Sequence, residues 1–142
     1  MKYSKIKAIR KFCEGLFSTP DWREVISNIG EDDFTVDNVR FIKAEAIDSI
    51  QADEMEGDSY VLGCFNASAI AEATGWPVVL IEAAQKGEAF EEIGAGMSRE
   101  QVEALQQIYC RADGYGHHFN SYDFSEEEIT LDGIDYYVFD CR

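Results

Sequence analysis

Bases are scarce in this chain. Twelve Lys and Arg stand against 28 Asp and Glu over 142 residues, giving a net charge of −16 and a pI near 4.3. A field of that sign repels phosphate backbones and anionic headgroups, so direct binding of nucleic acid or of a membrane surface is not expected. Histidine is limited to His117 and His118, and proline to Pro20 and Pro77. The four cysteines, Cys13, Cys64, Cys110 and Cys141, form no CxxC pair, so their spacing supports no zinc site. No run reaches the ~20 apolar residues that a membrane span needs. The opening MKYSKIKAIRKF carries charge throughout and lacks the apolar centre of a secretory signal. The expected compartment is therefore the cytoplasm, with thiols reduced. No GxxxxGK[ST], GxSxG or HExxH occurs, no GxGxxG follows a strand, and no calcium-loop pattern appears. No cofactor and no metal are expected.

What is present is a foldable chain. Hydrophobic residues make up 46% and aromatics 13%, enough for a real core in a chain this long. Tyr3, Ile6, Ile9, Phe12, Cys13 and Leu16 recur at three- and four-residue steps, predicting a helix over 3–17. Lys2, Lys5, Lys7, Arg10 and Lys11 make it the one basic segment. A second helix is expected after Ser18-Thr19-Pro20, with Ser18 or Thr19 as its cap and Gly30 as its stop. Residues 31–58 are the most acidic stretch. They read as a loop, a short strand at 39–43, and a helix from about 44 to 55 with Ala46, Ile47 and Ile50 inward and Gln51 outward. Residues 59–65 read as buried, as a helical turn or a strand.

The most legible piece runs from Asn66 to Ile93. Asn66 caps, Gly75 supplies a left-handed C-terminus, and Pro77 opens a second helix, which is weakest at Gly87. Ala71, Gly75 and Ile81 have a spacing that resembles helix-turn-helix modules: a small residue, a sharp turn, an apolar closure. The outer positions of the second helix, Val78, Val79, Glu82, Ala83 and Lys86, offer little to base edges, so a buried hairpin is the simpler reading. Ser98-Arg-Glu-Gln101 is a capping box and opens a helix that ends at Gly114.

The remainder reads as β. A strand is expected over 117–123, and Asp132-Gly133 predicts a type I′ hairpin. Leu131 then pairs with Ile134 and Ile129 with Tyr136, and one face carries Ile129, Leu131, Ile134, Tyr136 and Val138. Helices first and hairpin last argue for an α+β fold, mostly helical, with a small antiparallel sheet. The expected organisation is a single domain over 1–142, helical over 1–112 and β-rich over 115–142.

Two groups of residues are candidates for function. His117, His118, Tyr122 and Asp123 lie in a polar-aromatic run unlike the rest of the chain, and could form an acid–base or nucleophile set. On a strand the two histidines would face opposite ways and could not grip one metal together. Asp32, Asp33, Asp53, Glu54, Glu56 and Asp58 are the partner-binding candidates, since ordered carboxylates can occupy a site built for phosphates. The leading expectation is a small acidic protein acting through protein–protein contacts. Its partner would be a basic or nucleic-acid-binding protein, and a DNA mimic or anti-defence protein of a mobile element is the specific form. The alternatives are a small enzyme or ligand-binding domain using residues 117–123, and a degenerate helix-turn-helix module at 66–93.

Overall fold

Four positive-φ positions shape the sheet before any packing is considered. Asp37 and Asn38 (φ 48° and 65°) close one β-hairpin, and Asp132 and Gly133 (φ 51° and 81°) close the other. Both pairs have the backbone sign that a two-residue type I′ turn needs. The computed structural model describes residues 1–142. In chain order it contains α1 (Tyr3–Gly15), α2 (Trp22–Asn28), β1 (Asp33–Val36), β2 (Val39–Lys43), α3 (Ile47–Glu56), α4 (Ser59–Gly63) and α5 (Ala67–Thr74). It continues with α6 (Val78–Lys86), α7 (Phe90–Ala95), α8 (Arg99–Asp113), α9 (Gly116–Phe119), β3 (Glu127–Leu131) and β4 (Ile134–Asp140). The fold is α+β, with nine helices and one four-stranded antiparallel sheet. The chain divides into two compact units, residues 1–47 with 114–142, and residues 48–113.

In the first unit the strand order is β1-β2-β4-β3. Leu131 pairs with Ile134 and Ile129 with Tyr136, as the Asp-Gly turn dictates. The alternation puts Phe34, Val36, Val39, Phe41, Leu131, Tyr136 and Val138 on one buried face, where Ile9 and Cys13 of α1 and Val25 of α2 pack against them. Phe34 stacks on Phe41 at 4.8 Å and meets Tyr136 edge-on at 5.6 Å. The buried Tyr136 hydroxyl is satisfied: it donates to Glu31 O at 2.8 Å and accepts from Gly30 N at 3.0 Å. On the other face α9 lies over β4, with Phe119 on Phe139 at 5.1 Å, and Tyr115 of its N-cap on Tyr137 at 5.0 Å.

The second unit is all helix. Its tightest joint is the crossing of α4 and α7. A Cβ at Gly63 would overlap the carbonyl oxygen of Phe90, and one at Gly94 would overlap that of Ser59. The backbones touch there because neither position has a side chain. Asn66 caps α5 by accepting from Ser68 N at 2.8 Å, and Gly75 (φ 78°) ends it. Gln85 of α6 donates to Gly63 O and Phe65 O, tying α6 to the end of α4. The capping box is reciprocal: Ser98 N donates to Gln101 Oε1 at 2.9 Å and Gln101 N donates to Ser98 Oγ at 3.2 Å.

Several expectations need correction. Residues 117–123 are not a strand. Gly114 takes φ 76°, and the Glu126 carboxylate accepts from the Tyr115 and Gly116 amides, so the chain turns into the short helix α9. The strand expected at 39–43 is β2, but β1 at 33–36 stands where a loop was expected, because Asp37-Asn38 is a turn pair flanked by Phe-Thr-Val and Val-Arg-Phe. The cap of α2 is Asp21, accepting from Arg23 N at 3.0 Å, rather than Ser18 or Thr19. Gln51 is buried instead of solvent-facing, and accepts from Gln106 Nε2 at 2.8 Å.

Candidate functional site

The run 114–125 is organised by Asn120. It is buried, and its side chain does four things. Oδ1 accepts from the amides of Tyr122 and Asp123, and Nδ2 donates to Ser125 O and Oγ. Asp123 adds a second clasp, with Oδ1 accepting from the Ser125 amide and hydroxyl, which holds its carboxyl below the usual range. Gly116 packs so closely that a Cβ would overlap Phe124 O.

This turn brings some of the predicted residues together and separates others. Tyr122 and Asp123 line a cleft of about 280 Å³ with Leu16, Phe17, Ser18, Glu127 and Asp140 among its other walls. His117 and His118 are not among its walls. His117 stacks on Phe124 at 4.9 Å, and His118 meets Phe119 edge-on at 4.6 Å. The four residues thus form no single constellation. No group of three or more His, Cys, Asp or Glu is arranged to hold a metal ion.

Sequence reasoning missed Phe17 and Asp140, which line the cleft, and Arg142, which lies against them. Phe17 is far in sequence from the other two, and folding brings all three to Tyr122. The Arg142 guanidinium lies 3.5 Å from the Phe17 ring centre and 4.0 Å from that of Tyr122. Its Nε donates to both oxygens of Asp140, at 3.1 and 3.2 Å. The Ser18 hydroxyl is buried in this lining without a hydrogen-bond partner.

The acidic candidates fall in different units. Asp32 pairs with Lys43 at 3.2 Å, a hydrogen bond that raises the lysine's affinity for its proton. Asp33 pairs with Arg40 through two bonds of 2.9 and 2.7 Å. Both lie in the first unit. Asp53, Glu54, Glu56 and Asp58 lie in the second. Arg99 gathers Glu56 at 2.6 Å, Asp53 at 2.8 Å and Glu103 at 3.0 Å, and these bonds, Glu56 first, hold its guanidinium charged. Asp58 caps α4 by accepting from Val61 N at 3.2 Å.

Charge is distributed unevenly. Residues 48–113 carry thirteen acids against three bases, Lys86, Arg99 and Arg111, a net of −10. Arg99 is engaged as above, and Arg111 lies 3.7 Å from Glu72. On α6, Ile81 faces the core formed with Ile70 and Ile93, while Val79 and Leu80 are 74% and 65% exposed beside the exposed Glu82. Within 66–93, α5 and α6 are joined by a turn at Gly75, and the exposed residues of α6 include Val79, Leu80, Glu82, Ala83 and Lys86. No helix is long and apolar enough to cross a membrane. Compared with known proteins, the chain matches no family model, no curated protein and no solved structure.

Proposed function

We propose that the protein acts by binding a basic protein through its helical unit, residues 48–113. The observation that carries this reading is the pairing of a net −10 with two large apolar side chains, Val79 and Leu80, held in solvent. Carboxylates steer a cationic partner and set its orientation, while desolvated aliphatic side chains supply most of the affinity. Ordered helices fix the carboxylates in place, which a DNA mimic needs and a disordered acidic tail does not offer. The specific form of the proposal is therefore a partner that handles nucleic acid, whose phosphate site these carboxylates occupy, as an anti-defence protein of a mobile element would do.

The test uses the tagged full chain and two variants. One carries Glu82→Gln, Glu88→Gln and Glu91→Gln, three exposed acids of this unit, and the other Val79→Ser and Leu80→Ser. The charge variant should lose partner and salt dependence together, and the apolar variant should lose affinity at every salt concentration. Capture of the same basic protein by all three chains would overturn the reading.

A further inference from the structure

We propose that Phe17, Tyr122 and Asp140 form a guanidinium-binding cage at the mouth of the cleft, and that the chain's own Arg142 occupies it as a resident competitor. A site for a planar cation needs aromatic faces to stack on and a carboxylate to pair with in the plane. All three are here. The Phe17 and Tyr122 ring centres are 5.2 Å apart and tilted by 36°, and the guanidinium of Arg142 lies within 4.0 Å of both. Asp140 accepts from the Arg142 Nε through both oxygens, and its Oδ2 also lies 3.1 Å from Nη2.

Arg142 does not fill the site. A cleft of about 280 Å³ remains, walled by Tyr122, Phe17, Asp140, Asp123 and Glu127. Three carboxylates and two aromatic faces suit a ligand with a guanidinium head and a further cationic body. That is an arginine, either free or as a side chain of a polypeptide. A bound arginine would replace Arg142 against the two ring faces and on Asp140, so Arg142 sets a threshold that an incoming ligand must exceed. Asp140 is held in place by β4, so the carboxylate that pairs with the guanidinium is already positioned.

This inference uses only residues of the first unit and does not rest on the proposed role of residues 48–113. Its test uses small probes, so it can fail without touching that reading. N-acetylarginine amide is titrated calorimetrically into the full chain and into Arg142→Ala. Removing the competitor should tighten binding about tenfold, the scale of one lost cation–π and ion-pair contact. Adding Tyr122→Ala to Arg142→Ala should abolish the gain, and N-acetylcitrulline amide, which is neutral, should not bind. A parallel titration with free arginine and with an Ala-Arg-Ala peptide identifies the source of the head group, and preference for either supports the cage. Should Arg142→Ala fold poorly, the Arg142 Nε–Hε resonance of the unmodified chain gives the answer, because it must shift as the probe displaces it. An unmoved resonance, equal binding to both chains, or equal binding of citrulline would overturn the inference.

Discussion

A single buried amide decides the shape of the run that the sequence makes most conspicuous. Asn120 satisfies two amides, a carbonyl and a hydroxyl, so Asn120→Ala should cost about 2 kcal/mol. Urea unfolding of the variant checks this, and an unchanged midpoint would remove Asn120 from its organising role. The cysteines differ as sharply. Burial, reinforced by Asp21 and Glu14, pushes the Cys13 thiol up to about 11, while Cys64 is exposed. Iodoacetamide at about pH 8 should therefore label Cys64 and spare Cys13 in the folded chain, with both labelled in urea, read by mass spectrometry. The apolar stripe of 3–17 already placed Cys13 inward, but the role of Asn120 was not legible in the sequence. His117 to Asp123 looks like a strand because its alternation is local, whereas Asn120 and Glu126 act on backbone amides several residues away.

At the scale of elements, local chemistry was the better guide. Asn66, Gly75, the Ser98–Gln101 box and Asp132-Gly133 behave as their residue types require, since each satisfies its own neighbours. The Asp37-Asn38 hairpin carried the same signal in a weaker form, with Asn where Gly is commoner. What the sequence hid is the crossing of α4 and α7, because two glycines 31 positions apart give no sign that they meet. Gly63→Ala and Gly94→Ala should each destabilise by about 3 kcal/mol, since a backbone carbonyl cannot give way as a side chain can. Thermal melts of both variants check this, and Gly15→Ala, where a Cβ meets nothing, serves as the control. A pH prediction belongs here too. Lys5 donates to Asp132 at 2.9 Å and lowers that carboxyl's pKa, which ties α1 to the β3–β4 turn. A lowered carboxyl pKa gives stability that is present above the ordinary carboxylate value and lost as pH falls through the native one. Asp132→Asn keeps a residue that tolerates positive φ and removes the charge. The advantage of the unmodified chain over the variant should be present near neutrality and fade below about pH 4, read from urea midpoints across pH.

For the whole molecule, composition spoke first and structure then located what it said. A net charge of −16 disfavours nucleic acid, yet it does not say where the negative field is concentrated. Of that total, −10 falls in residues 48–113, although the most acidic stretch, 31–58, is shared by both units. The two units interleave in sequence, with 114–142 rejoining 1–47, because β2 pairs with β4. That pairing of distant strands is not visible in any local pattern. The proposed function is a property of this scale. The measurement that tests it most directly is affinity capture from lysate by the tagged chain and by its Glu82→Gln, Glu88→Gln, Glu91→Gln variant, at about 0.05 M and about 1 M salt. The account predicts a basic protein held by the unmodified chain at low salt, released at high salt, and absent from the variant. Retention of the same protein by the variant, or retention that ignores salt, would contradict it.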